Sequence, residues 1–258
     1  MLGAIIGDII GSRFEFNNIK TKDFELFDKK CFMTDDSIMT LAVAEICINN
    51  YFSNSKEIIN TFKKWGNLYP NCGYGERFYN WLFSNNNGPY NSFGNGSAMR
   101  ISPVAYYAKN EEEIIKYAKA VTEVTHNHPE GIKGALVTAM CIFYARTGKT
   151  KEEIKQYVKK YYNIDFDYEK LKKEYKFNSS CMESVPQAIY CFLISKDFED
   201  CIKTTISIGG DSDTTTCIAC SIAEAYYGIP EHIKKEVYKY IPDNIQQKIK
   251  EFYNSIES

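Results

Sequence analysis

Gly209-Gly210-Asp211-Ser212-Asp213-Thr214-Thr215-Thr216-Cys217-Ile218-Ala219-Cys220-Ser221-Ile222-Ala223-Glu224-Ala225-Tyr226-Tyr227-Gly228 contains the signals that recur along the whole chain. Two glycines and a run of small oxygen-bearing side chains lead into apolar residues at three- and four-residue spacing, and Gly228 supplies a left-handed stop after Tyr227. This pattern predicts a helix over 214–227. Working outward, Asp197 can cap a segment beginning at Phe198, and Pro230 and Pro242 suit first-turn positions. Strict alternation over five or more residues is hard to find, so the periodicity reads as all-α. It predicts helices over 2–13, 35–51, 55–67, 74–83, 98–108, 111–124, 129–147, 150–161, 167–175, 182–195, 198–207, 214–227, 230–239 and 242–255.

A chain of 258 residues with 44% hydrophobic content can bury one large core, so a single domain over 1–258 is expected. Residues 161–180 are dense in Lys, Glu, Asp, Tyr and Asn and read as a solvated surface excursion rather than part of a site. The loop from Asn85 to Gly96 is too long and too rich in turn formers to be a minimal connection, and is a candidate binding segment. With 31 basic and 33 acidic side chains there is no positive field to draw the protein onto nucleic acid. The apolar start, broken by Gly3, Gly7 and Asp8, lacks a basic leader, and no window is long enough to span a membrane. Nine cysteines, odd in number and mostly inside apolar helical patterns, argue for reduced thiols in the cytoplasm. Cys217-Ile218-Ala219-Cys220 has redox spacing but lies inside an apolar helix, so core packing is expected of it. A monomer is expected.

Two acidic clusters stand at helix entrances: Thr34-Asp35-Asp36-Ser37, and Asp211-Ser212-Asp213-Thr214-Thr215-Thr216. Capping explains one hydroxyl or carboxylate at each, not four or five. Adjacent carboxylates repel unless cations neutralise them, and that excess of charge over capping need suggests metal. All the donors are hard oxygens, which fit Mg²⁺, Mn²⁺ or Ca²⁺; with three histidines in the chain, zinc fits poorly. If the clusters meet, they could hold two ions about 3.5–4 Å apart. The alternative, two elaborately capped helices, stays open at this point. Gly94-Asn95-Gly96-Ser97-Ala98-Met99-Arg100 is a glycine-rich run entering a helix and a candidate for contact with an anion. His126, at the boundary between two helices, could be a packed polar group or a ligand contact. Nothing suggests a Ser-His-Asp arrangement.

Taken in order, these segments resemble the ADP-ribosylglycohydrolase family: Gly3-Ala4-Ile5-Ile6-Gly7-Asp8 with Gly11-Ser12 and Glu15, then Thr34-Asp35-Asp36, Gly94 to Arg100, Thr125-His126, and Gly209 to Thr214. The likeness spans residues 2 to about 230. It implies an orthogonal helical bundle with two divalent ions, Mg²⁺ or Mn²⁺, at the base of a cleft. It further implies Thr34, Asp35, Asp36, Asp211, Asp213 and Thr214 as metal ligands, with Asp213 bridging. Glu15 would lie beside the metals on a gate formed by Phe16 to Met33, while Asn95, Gly96, Ser97, Met99 and His126 would contact ADP-ribose. The implied reaction is hydrolysis of the bond between ADP-ribose and a protein side chain or small conjugate. Asp36 or Asp35 would orient the water, and Glu15 would act as gate or second-sphere acid. Asp-Ser-Asp-Thr stands where other members often have Asp-Thr-Asp-Thr, a change at a position without a ligand role. Two competing readings are an inactive ADP-ribose-binding or structural member of the same fold, and a helical metal-dependent diphosphate enzyme. The latter places its acids four apart within helices rather than at helix entrances.

Overall fold

The computed structural model describes residues 1–257. Among them the helices are α1 (Leu2–Gly11), α2 (Asp35–Ile48), α3 (Ser55–Leu68), α4 (Glu76–Phe83), α5 (Gly96–Met99), α6 (Ser102–Tyr107), α7 (Glu111–Glu123), α8 (Pro129–Arg146), α9 (Lys151–Val158), α10 (Tyr168–Glu174), α11 (Cys181–Ile194), α12 (Phe198–Ile208), α13 (Ser212–Tyr227), α14 (Glu231–Val237) and α15 (Asp243–Glu257). No strand forms among the described residues; Gly94 and Ser180 make one isolated antiparallel bridge. The expected all-α architecture is what the chain adopts, and one apolar core runs from Met1 to Phe252.

The centre of the fold is the contact between α1 and α13, which also packs on α8, α11 and α12. Gly3, Gly7 and Gly11 recur every four residues and so share one face of α1. A Cβ at Gly3 would lie 2.5 Å from the Cys220 carbonyl oxygen and one at Gly11 2.5 Å from that of Ser212, while one at Gly7 would strike Thr216. Only hydrogen fits there, so the two backbones touch. Glu224 closes the top of this pair by accepting bonds from the Met1 amine (2.6 Å), the Gly3 N–H (2.7 Å) and the Tyr253 hydroxyl (2.6 Å).

Local signals account for most boundaries. Asp197 accepts the Asp200 N–H at 2.7 Å to start α12, and Gly228 ends α13 at φ +75°. Gly209 (φ +71°) and Gly210 (φ +81°) turn the chain from α12 into α13 through left-handed backbone that other residues resist. The single helix expected over 98–108 is two, α5 and α6. Pro103 has no N–H to offer the Met99 carbonyl, and it sits in the first turn of α6, where the missing N–H costs nothing and a new helix begins. The freed Met99 carbonyl takes the Cys217 thiol at 3.3 Å and the Thr40 hydroxyl at 3.4 Å instead.

Residues 161–180 divide. Helix α10 has no fully buried residue and lies on the surface, but the chain after it turns inward. Tyr175 packs with Cys191 and Ile208, and Phe177 and Ser179 line the cleft described below. The expectation that this stretch stays out of the site is therefore corrected for its last residues, which are tied down when the Ser179 carbonyl accepts the Asn95 N–H at 2.8 Å. Cys217 and Cys220 are fully buried, and all nine cysteines are free thiols. No helix among the described residues is long and apolar enough to cross a membrane.

Candidate active site

The entrances of α2 and α13 lie together at the base of a cleft of about 390 Å³. Its lining includes Glu15, Asp35, Asp36, Asp211, Asp213 and Thr214 on one side and Asn95, Gly96, Met99 and His126 on the other. Two groups of carboxylates each offer three oxygens within 4.8 Å of one another: Asp8 with Asp36 and Asp213, and Glu15 with Asp211 and Asp213. Asp213 belongs to both. Either group could hold a cation, and a residue common to both is where a shared ligand would stand.

Asp8 was not among the ligands read from the sequence. It projects from α1 at the level where Gly7 and Gly11 press on α13, and reaches the start of α2. Its Oδ2 accepts the N–H of Thr34 (2.9 Å) and of Ser37 (3.1 Å), its Oδ1 the Thr34 hydroxyl (2.7 Å), and the Ser37 hydroxyl also bonds it. Asp8 thus caps α2 from another helix. A lone carboxylate in the otherwise apolar Leu2–Gly11 was the available signal.

The other expected ligands are placed as follows. Asp36 is 1% exposed, and its Oδ2 accepts the Thr214 hydroxyl at 3.2 Å. Its Oδ1 is buried without a hydrogen-bond partner. Thr34 lies behind the cleft wall with its hydroxyl turned to Asp8, and Asp211 accepts the Asn95 side-chain N–H at 2.7 Å. Asp35 lies outside both triads; it is half-buried on the cleft wall, where its N–H bonds the Cys72 carbonyl at 2.7 Å. Glu15 is half-buried at the mouth.

So many acids in one place cannot all ionise cheaply. Burial pushes the carboxyls of Asp8 and Asp211 up to about 6. Burial, then the charges of Asp213 and Asp8, pushes Glu15 up to about 8. Asp36 and Asp35 are raised further by burial and then by Asp213 and Asp8, and Asp213 by burial and then by Asp211.

The opposite wall is the Gly94–Gly96 turn with His126 against it. Asn95, Gly96, Met99 and His126 line the cleft as expected of ligand contacts, but the Ser97 side chain does not. It is fully buried and donates to the Gly131 carbonyl at 2.8 Å, so only its backbone is left for a ligand. The segment after Glu15 is anchored rather than loose at its start. The Asn18 side chain exchanges bonds with Gly210, taking its N–H at 2.7 Å and giving to its carbonyl at 2.9 Å. The Lys20 ammonium reaches the Ile208 carbonyl at 2.5 Å and that of Tyr175 at 3.0 Å. Phe16, 80% exposed, stacks on Phe177 across the mouth with ring centres 6.2 Å apart. Tyr90 and Phe93, within the expected binding loop, and Arg100, at the end of the glycine-rich run, also line the cleft, as does Phe177, which carried no signal in the sequence.

A helical fold whose cleft floor is a nest of buried carboxylates offers an oxygen-lined site that could hold a hard cation, and comparison with known proteins narrows the class. The family model for ADP-ribosylglycohydrolase matches residues 1–258, and the chain belongs to that family, whose members hydrolyse glycosidic bonds of ADP-ribose. A relative in Xenopus tropicalis, ADP-ribosylhydrolase ARH3, is 27% identical over 88% of this chain and 86% of its own. The ADP-ribosyl-[dinitrogen reductase] glycohydrolase of Rhodospirillum rubrum is 26% identical over 89% of this chain and 85% of its own. A solved structure titled ADP-ribosylglycohydrolase-related protein complex superposes with a TM-score of 0.73 at 19% identity, covering 99% of this chain and 93% of that one, and so shares the fold.

Proposed function

We propose that this protein hydrolyses the glycosidic bond between ADP-ribose and an acceptor, a protein side chain or a small conjugate, with two divalent cations, Mg²⁺ or Mn²⁺, in the carboxylate nest. The observation that carries this reading is the pair of oxygen triads sharing Asp213 in one cleft with the Gly94–Gly96 turn and His126. The residues fit such ions: every donor is a hard oxygen, and the orphaned buried Oδ1 of Asp36 is an acceptor that hydrogen bonding leaves unused. Asp8, Asp36 and Asp213 would hold one cation and Glu15, Asp211 and Asp213 the other, with the Thr214 hydroxyl as a neighbouring donor. When bound, the cations supply Lewis-acid charge stabilisation and orient sugar hydroxyls and water.

The chain's own residues do the rest. Asp35 faces the cleft and stands outside both triads, so it is free to hold and orient the attacking water, whereas Asp36 is committed to the nest. The sugar carbon gains positive charge as the glycosidic bond breaks, and the surrounding carboxylates stabilise it. Glu15, on the segment pinned by Asn18 and Lys20, stands beside the second cation and serves as gate. The Asn95–Gly96 backbone, Met99 and His126 seat the ADP-ribose half. Nine free thiols support a reducing, cytoplasmic setting.

The test is a panel of defined conjugates, ADP-ribosyl-arginine, an ADP-ribosyl-serine peptide and O-acetyl-ADP-ribose, each with Mg²⁺, Mn²⁺ or chelator. Cation-dependent release of ADP-ribose from at least one is expected. Release that is unaffected by chelator, or none from any member, overturns the proposal.

A further inference from the structure

Lining the cleft lies a buried cation, Arg100, that no carboxylate among the described residues touches, the charge of Asp35 acting on it only at a distance. Arg100 is 1% exposed, and among the described residues it forms no ion pair. Its guanidinium sits 4.3 Å from the centre of the Phe62 ring and 5.5 Å from that of Phe78, and its Nε has no hydrogen-bond partner. A buried charge without a counter-ion is costly, and an apolar side chain would fill the space between two phenyl rings at less cost. The charge therefore calls for a use.

The hydrogen bonds from Arg100 lead to the cleft. Its Nη2 donates to the Thr125 hydroxyl at 2.8 Å and to the Val121 carbonyl at 3.4 Å. The same hydroxyl lies 2.8 Å from Nδ1 of His126. A guanidinium only donates, so the Thr125 oxygen accepts from it, and among the described residues His126 Nδ1 is the one acceptor with which the hydroxyl's own proton is paired. An Nδ1 that accepts carries no proton, which leaves the proton of the neutral ring on Nε2. Burial, with Arg100 and Arg77 nearby, keeps the ring neutral by holding its pKa well below the usual histidine value. Nε2 looks over the turn: a Cβ on Gly96 would lie 3.4 Å from it and one on Gly94 3.7 Å. No protein group among the described residues takes its bond.

We propose that Arg100 and Thr125 are positioning residues that fix His126 in the Nε2–H tautomer, so that it donates one directed hydrogen bond to an acceptor oxygen of the ligand lying over the Gly94–Gly96 turn. The identity of that oxygen, on the ADP-ribose half, rests on the function proposed above; the tautomer does not.

Thr125→Val removes the hydroxyl at nearly constant volume and Thr125→Ser keeps it. Long-range proton–nitrogen NMR on ¹⁵N-histidine-labelled protein reads the tautomer, with His126→Gln to assign the signal among three histidines. Calorimetry reads the affinity for ADP-ribose. Wild type and Thr125→Ser are expected to show Nε2–H alone, Thr125→Val a mixture of tautomers, and ADP-ribose to bind about tenfold more weakly to Thr125→Val only. A wild-type ring protonated at Nδ1 overturns the proposal, and this arm needs no variant to fold. A Thr125→Val protein with wild-type tautomer, or with wild-type affinity, also overturns it. A protein that binds no ADP-ribose but shows the expected tautomers sinks the function reading and supports the relay.

Discussion

Stripping divalent cations and raising the pH from 5 to 8 should weaken this fold, the reverse of what ion-paired carboxylates do. Asp8 and Asp211 titrate near 6 in the folded chain instead of the ordinary 3.8. Between these values the folded state holds more protons than the unfolded, so stability is full below about pH 4 and is lost as the pH rises through 6. Each ionised carboxylate then costs roughly 3 kcal/mol, and the two costs overlap because the groups share neighbours. Somewhat under half of each cost falls above pH 5; taking about 2 kcal/mol for the nest between pH 5 and pH 8, the melting temperature of chelated protein should fall by about 4–8 °C. Cations reverse this: at a free concentration about 100-fold over the dissociation constant they return roughly 2.7 kcal/mol. Their binding needs deprotonated ligands, so the gain should be large at pH 8 and small at pH 5. Differential scanning calorimetry with chelator, Mg²⁺ or Mn²⁺ across this range measures both effects. A melting temperature that climbs with pH in chelator, or that ignores cations at pH 8, refutes the reasoning.

Asp213→Asn removes the residue common to both triads; calorimetry should show a higher melting temperature in chelator at pH 8 and no cation response, with hydrolysis reduced by more than about 100-fold. Asp35→Asn should lower kcat by about 10²–10⁴ while the cation-induced melting shift stays intact, and loss of that shift would make Asp35 a ligand instead. Gly7→Ala drives a methyl into Thr216 and should cost about 1–3 kcal/mol by denaturant titration. Cation affinity, measured by calorimetric titration, should fall with it because Asp8 rides on the same helix; unchanged affinity would show that the α1–α13 contact does not set the nest.

The parts of this molecule legible in its sequence are those with a local cause. Capping by Asp197 and the Gly228 stop could be read because each acts within one turn of chain. The two acidic clusters could be paired because each carries more charge than a helix entrance needs. Asp8 is different: with Gly3 and Gly7 it was read as a break in an apolar run, whereas the four-residue spacing of Gly3, Gly7 and Gly11 is the imprint of a helix lying backbone to backbone on another. Pro103 was visible, yet the 98–108 periodicity ran straight across it. The inward turn of Phe177 and Ser179 left no local trace, since it depends on Gly94 meeting Ser180 across a long stretch of chain. Ser97 looked like a ligand contact because its motif does; only packing against Gly131 reveals that its hydroxyl is already used.

The nest also shows how far a protein can go toward neutralising its own charge. The N-terminus of α2 meets Asp8 with the N–H groups of Thr34 and Ser37, and Asp213 sits in the first turn of α13, so two positive helix ends face the acids. Each helix end contributes about 0.3–1 kcal/mol, up to about 2 when partly buried. Against this, ionising Asp8 alone costs roughly 3 kcal/mol, and burial with neighbouring charge also raises Asp36, Asp35 and Asp213 toward the protonated form. The helix ends therefore orient the carboxylates without discharging them. What remains is a cluster of carboxyl groups with an orphaned oxygen on Asp36, which stays neutral by keeping its protons or, under the function proposed above, by exchanging them for cations small enough to fit between these oxygens.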